Sequence, residues 1–245
     1  MKNIQTSILK ILAIAGLVLF SQNARAERAL ESLHKADSLF IKKQYTQSFE
    51  IYQELRTNGF HSPAMLLKMA FIQEGLGHVS LSLYYLNLYY LASGDEQALN
   101  KMDEVAAKNR LEGYAHSNTT HLLFNLNKYR FHFSLVLLSL AILLLALQYR
   151  FITKKSSSVS PAIYAMLVLL LLAGHVNFSL EQPAAIISNS NTYLMTGPSA
   201  GASVVTQINE GHKLKVTDKK DVWLKVEWLD QVAYVKETQV LPIEL

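Results

Sequence analysis

Eight histidines and no cysteine set the reactive inventory of this 245-residue chain. Without cysteine there is no disulfide, no thiol nucleophile, no Cys-ligated zinc and no iron–sulfur cluster. His116 and His121 flank a polar run, His116-Ser-Asn-Thr-Thr-His121, but lack a third ligand at helical spacing, so they do not read as a metal site. His132 lies at the outer edge of one apolar run, and His175 and Asn177 lie near the outer end of a second. An ionisable residue within a membrane span is a functional candidate by default, but these positions suit an interface. There is no glycine-rich phosphate loop, no metal-ligand cluster, and no nucleophile with a convincing base. The expectation is a non-enzymatic protein without cofactor or metal. What remains is binding chemistry, carried by apolar and aromatic side chains that larger elements must position.

The elements divide around Phe131–Phe178. Two apolar runs there, 131–148 and 162–173, contain no Asp, Glu, Lys or Arg. Crossing the hydrocarbon core takes about 20 residues, and transmembrane helices are predicted at 131–151 and 161–180. Arg150, Lys154, Lys155 and the turn Ser156-Ser-Ser-Val-Ser-Pro161 separate them, giving an inner loop at 152–160. The alternative is a pair of core helices in a soluble protein, which would ordinarily show a polar stripe. At the start of the chain, Lys2 and Lys10 precede the apolar run Ile11–Phe20, and Ala24-Arg-Ala26 follows. That pattern is a secretory signal peptide, 1–26, or else an uncleaved anchor. A translocated N-terminal part, an inward hairpin and a returning C-terminal part then place both soluble parts on the outer side. The basic residues of the inner loop agree with this.

The net charge of +4 does not describe a basic folded face. Residues 27–110 hold nine basic and ten acidic residues, and residues 181–245 hold six and eight. The excess lies in the N-terminal segment and the flanks of the apolar runs, which disfavours nucleic acid as a partner.

In residues 27–112 two segments align at one offset. Ala36/Ala70, Ser48/Ser82, Tyr52/Leu86 and Leu55/Tyr89 are each 34 residues apart, the period of the tetratricopeptide (TPR) repeat. Ser62-Pro63 predicts a helix start. Gly75 and Gly77 mark an inter-helix turn, Gly94 a helix end, and Asp95 the cap of a further helix to about Arg110. An unrelated helical bundle is the alternative. TPR geometry would set Leu30, Leu33, Asp37 and Phe40 beside Leu67, Phe71 and Glu74 on an inner, peptide-binding face; the competing reading is that these residues only pack the stack. The tyrosines Tyr84, Tyr85, Tyr89 and Tyr90 read either as a contact surface or as ordinary packing with rim hydroxyls. Residues 113–130 are assigned as a linker.

From 184 to 245 the pattern changes to period two. Lys213–Val216 and Val222–Trp228 alternate. Turn signals at Asn189-Ser-Asn, Glu210-Gly211, Asp218–Asp221 and Leu229-Asp230 divide five or six short strands. The order resembles the bacterial SH3 family: Tyr193-Leu-Met-Thr-Gly197-Pro198-Ser199, Val204–Ile208, Glu210-Gly211, Trp223-Leu-Lys-Val226 and Ala233-Tyr234-Val235. It departs where that family usually ends in Gly-Trp-Val. The resemblance implies an SH3-like barrel with a peptide or cell-wall ligand. Trp223, a candidate exposed aromatic, and Tyr234 are the candidate contacts; the competing reading is that both tryptophans pack against the barrel or the membrane-proximal surface.

The fold class expected is thus a multidomain membrane protein: an all-α TPR-like repeat, two transmembrane helices and a C-terminal all-β SH3-like barrel. This order of modules, with Ser62-Pro63-Ala64 opening a repeat and Glu210-Gly211 in the barrel, resembles the BatE family of the Bat aerotolerance system. The resemblance implies a two-pass inner-membrane protein whose partners are the lipid bilayer and von Willebrand A-type Bat proteins. It implies a role in oxygen or oxidative-stress tolerance as a scaffold. An envelope sensor that binds cell wall through the barrel is the alternative.

Overall fold

The computed structural model describes residues 26–114, 129–153, 159–177 and 183–245. The signal segment up to residue 25, the pair His116 and His121, and Lys154 and Lys155 lie outside the described residues. The chain divides into two compact units, one reaching Val105 and the other running from Ala106 to Glu244.

The first unit is helical: α1 (26–41), α2 (Tyr45–Thr57), α3 (Pro63–Gly75), α4 (Val79–Ser93) and α5 (Gln97–Asn109), whose last turn enters the second unit. Local chemistry sets the ends. Ser62 Oγ accepts the Met65 N–H at 3.3 Å and Pro63 opens α3, needing no N–H there. Gly94 ends α4 in the left-handed region at φ 68°, and Asp95 Oδ1 accepts the Gln97 N–H at 3.0 Å. Replacing the cap, Ser62→Ala, is expected to cost about 1 kcal/mol, read as a lower melting temperature of the helical signal.

The residues at 34-residue offset are core positions. Ala36, Ala70, Ser48, Ser82, Tyr52, Leu86 and Leu55 are buried, and Tyr89 is half-buried. Ser48 Oγ donates to the Ala36 carbonyl at 2.8 Å, so the small side chains let α1 and α2 approach and also tie them. Ser82 has the same burial but its hydroxyl has no partner among the described residues. The two therefore differ under truncation. Ser48→Ala should cost about 0.5–1.5 kcal/mol, while Ser82→Ala, which removes an unsatisfied polar atom, should be neutral or stabilising; paired denaturation curves separate them. The tyrosines of α4 resolve toward packing. Tyr84, Tyr85 and Tyr90 are buried, Tyr84 OH accepts from the Arg56 guanidinium, and Tyr89 OH donates to Asp95 Oδ2 at 2.7 Å. Burial pushes the Tyr85 hydroxyl up to about 12.

The second unit contains α6 (Arg130–Thr153) and α7 (Ser160–Asn177). Both are long and apolar enough to cross a membrane by length and composition. A soluble core helix would be mostly buried; here 6% of the α6 window and 11% of the α7 window is buried. The helices pack on each other where side chains are small, at Ala141 and Ala165. The Phe133 and His175 rings meet edge-on at 6.4 Å. Asn177 Nδ2 is satisfied locally, donating to the Ala173 carbonyl at 2.7 Å.

The β part has seven strands rather than the five or six expected. They are β1 (Ala184–Ile187), β2 (Thr192–Met195), β3 (Val204–Ile208), β4 (Lys213–Lys220), β5 (Trp223–Trp228), β6 (Gln231–Lys236) and β7 (Val240–Pro242). They form one antiparallel sheet in the order β3-β2-β6-β5-β4-β1-β7. The extra strand is three residues following a 3₁₀ turn, too short to show a period in sequence. The sheet wraps a core of Ile187, Leu194, Leu214, Leu224, Val226 and Val235 with smaller neighbours. Asn191, Gly211, Asp221, Leu229 and Asp230, all within the expected turns, have positive φ.

Residues 113 and 114, assigned to a linker by sequence, are instead packed on this sheet. Tyr114 is buried and donates from its hydroxyl to the Gly211 carbonyl at 2.7 Å. The Lys213 N–H donates to the Glu112 carbonyl at 3.0 Å. Sequence gives no sign of this packing, because so short a segment carries no periodicity and its partners lie about a hundred positions away.

Candidate functional site

Two surfaces collect the residues expected to bind. The first lies on α1 and α3. Phe40 and Phe71 meet edge-on with centroids 5.7 Å apart, and Tyr45, from the start of α2, closes the triangle at 5.4 and 5.9 Å. Such pairs add about 0.5–1.5 kcal/mol beyond area burial, so the rings hold one another while one edge stays open. Phe71 is 53% exposed and Leu67, one turn earlier on α3, is 42% exposed. Leu33 is half-buried.

Charge frames these rings. The Lys68 ammonium lies 5.8 Å from the Phe40 ring centroid and 2.7 Å from Asp37 Oδ1. Asp37 also accepts from the Tyr52 hydroxyl. Burial raises the Asp37 carboxyl, but the hydrogen bonds from Lys68 and Tyr52 outweigh it and hold the group below its ordinary 3.8. Its contribution is therefore present above that value and is lost as pH falls further. Burial, with the Asp37 bond, raises the Tyr52 hydroxyl. Glu74 pairs with Lys101 of α5 at 2.9 Å. The arrangement is an edge-to-face aromatic cluster with Lys68 over the Phe40 ring, its charge matched by Asp37. Tyr45, Lys68 and Lys101 were not legible as members of this surface; only three-dimensional packing brings them to the α1 and α3 residues.

The second surface is on the barrel. Leu224, Val226, Ala233 and Val235 point into the core, so Trp223, Lys225, Tyr234 and Lys236 fall on the opposite face. Register pairs Trp223 with Lys236 and Lys225 with Tyr234. Trp223 and Tyr234 thus share a face, with a lysine opposite each. Of the two readings for Trp223 the structure shows packing: it is 9% exposed, with the Lys236 ammonium 5.6 Å from its ring centroid. Asp221 and Val222 form the turn, so the strand begins at Trp223 and the cross-strand lysine folds over its ring. Tyr234 is half-buried. Among the described residues, no group of three His, Cys, Asp or Glu is placed to hold a metal ion.

No curated protein matches the chain. Residues 190–239, spanning β2 to the 3₁₀ turn after β6, match the family model of the bacterial SH3 domain.

Proposed function

We propose that this protein is a membrane-anchored scaffold without catalytic activity, whose helical part and SH3-like barrel hold protein partners on the outer side of a bacterial inner membrane. The observation that carries it is the open aromatic patch of Phe40, Tyr45 and Phe71 under Lys68. Phe71 is 53% exposed beside the half-buried Phe40 and Tyr45, which leaves an apolar edge open to a partner. The bacterial SH3 match supplies a second interaction module on the same chain. The helical part is read as two degenerate TPR repeats; burial at the 34-residue offsets supports that reading. The two apolar helices serve as a hairpin anchor. The contact of residues 111–114 with 211–213 favours a topology that returns the chain to its starting side, because it joins segments on either side of the hairpin. The partners proposed are von Willebrand A-type membrane proteins of a Bat-type complex acting in oxygen tolerance.

Affinity purification of the full chain in mild detergent tests this. Wild type should recover such membrane proteins, and Leu67→Ala with Phe71→Ala should reduce recovery roughly tenfold or more. Phe71→Ala also removes two ring pairs, about 1–3 kcal/mol together, so retained helical ellipticity is required of the double variant. Equal recovery by the double variant would remove the patch from the account.

A second reading rests on the bacterial SH3 match alone: a cell-wall ligand on the Trp223–Tyr234 face. Retention of the full chain on purified sacculi, lost in Tyr234→Ala and accompanied by no protein partner, would favour it.

A further inference from the structure

The strap formed by residues 111–114 is built into the barrel more tightly than a linker requires. Three consecutive barrel residues receive it. The Leu111 side chain lies on Gly211, where an added Cβ would come within 2.9 Å of Leu111 Cδ1. The Glu112 N–H donates to His212 Nδ1 at 3.0 Å, and the Glu112 carbonyl accepts from the Lys213 N–H at 3.0 Å. The Tyr114 hydroxyl donates to the Gly211 carbonyl, with the Lys213 ammonium 5.8 Å from the Tyr114 ring centroid. The sheet leaves this place open: β1 pairs with Lys213 on one side of β4, while β5 pairs with β4 only from Lys215 onward. The strap satisfies a backbone donor that β5 does not reach.

We propose that residues 111–114 are a reversible clamp, docked on the barrel while His212 is neutral and released when His212 is protonated, so that the chain ahead of the first apolar helix is tied to the domain behind the second in a pH-dependent way. The bond from Glu112 fixes the state of the ring. Nδ1 accepts, so the proton of the neutral imidazole is on Nε2. A second proton on Nδ1 would set two donors against each other.

The surroundings offer the cation little. The ring meets Trp228 of β5 edge-on at 5.1 Å. The charged residue before Trp228, Glu227, is already paired with Lys215 at 3.1 Å. From β1 only the Ile187 backbone N–H reaches it, donating to the His212 carbonyl. On its own segment Lys213 is adjacent and Glu210 lies two residues before. The strap brings the neutral Tyr114 hydroxyl and the Glu112 carboxylate. Burial lowers the His212 basicity from the ordinary 6.5, and the opposing charge of Glu112 does not cancel it. A group held below its free value stabilises the docked form above about pH 6.5 and withdraws that contribution as pH falls.

Hydrogen exchange on the full chain in detergent, at pH 7.5 and 5.0 with times scaled for intrinsic exchange, tests the clamp. Protection of amides in 111–114 and at Lys213 should fall roughly tenfold or more at pH 5.0, while β5 and β6 keep theirs. His212→Asn places a carbonyl oxygen near the position of Nδ1 and does not titrate, so its strap should stay protected at pH 5.0. Glu112→Gln removes the carboxylate that favours the protonated ring in the docked form, so docking should be weaker at pH 5.0 than in wild type and the release midpoint should stay or rise. Unchanged wild-type protection across the two conditions would overturn the proposal. So would equal loss in His212→Asn, or a release midpoint in Glu112→Gln that moves to lower pH.

Discussion

Leu214→Ala should unfold the barrel while leaving the helical part folded. Leu214 is fully buried on β4, among Ile187, Leu194, Val226 and Val235. Truncating a buried leucine costs about 2–5 kcal/mol, through lost transfer energy and the cavity left behind. Native stability runs at roughly 0.05–0.15 kcal/mol per residue, so a domain of this size has little more than that to lose. Both tryptophans of the chain, Trp223 and Trp228, are on β5. Tryptophan emission therefore reports the barrel alone, and helical ellipticity reports mainly the rest. The variant should show red-shifted emission with most helical signal retained. Val222→Ala, at an exposed turn position, is the control and should leave emission unchanged.

Gly113→Ala should release the strap without unfolding the barrel. Gly113 has φ 92°, and an added Cβ would overlap the Lys213 carbonyl oxygen. The conformation alone costs a non-glycine residue about 1–3 kcal/mol, and the overlap with backbone has no flexible side chain to relieve it. The loss is capped by what docking contributes. Burying an aromatic side chain removes roughly 150–250 Å² from water, worth about 4–6 kcal/mol at about 25 cal/mol per Å² before the entropy of ordering four residues is subtracted. About 2 kcal/mol net corresponds to roughly thirtyfold faster exchange at the Lys213 amide. Tyr114→Ala should give a similar change by removing the buried ring rather than straining the backbone. Exchange at wild-type rates in both variants would show that the strap contributes nothing to the fold.

How much was legible in sequence follows the range of each interaction. Ser62-Pro63, Gly94 and Asp95 act on neighbours within three residues, and each does in the structure what its type predicts. The alternation of 222–228 located β5, and the turn residues located the breaks between strands. Trp223 stayed open between exposure and packing because alternation gives the face of a side chain but not what folds over it; the cover is Lys236, from the next strand. The α1 and α3 residues were found by helical geometry, yet the pairs Asp37–Lys68 and Glu74–Lys101, which set the charge of that surface, join different helices. The strap was invisible for the same reason. Its glycine and tyrosine are explained only by Gly211, His212 and Lys213.

The proposed scaffold role requires both the helical part and the barrel to lie on one side of a membrane, outside the cytoplasm, and the absence of native cysteine makes this directly measurable. Single cysteines at Ile41, at Leu229 and at Ser157 in the inner loop would be treated with a membrane-impermeant maleimide. The cells would have a permeabilised outer membrane and an intact inner one. Ile41 is 78% exposed and Leu229 67%, so neither label needs the fold to open. Labelling at 41 and 229 before lysis, with 157 reacting only after it, is the expected result; labelling of 41 and 229 on opposite sides, or of both only after lysis, would contradict it.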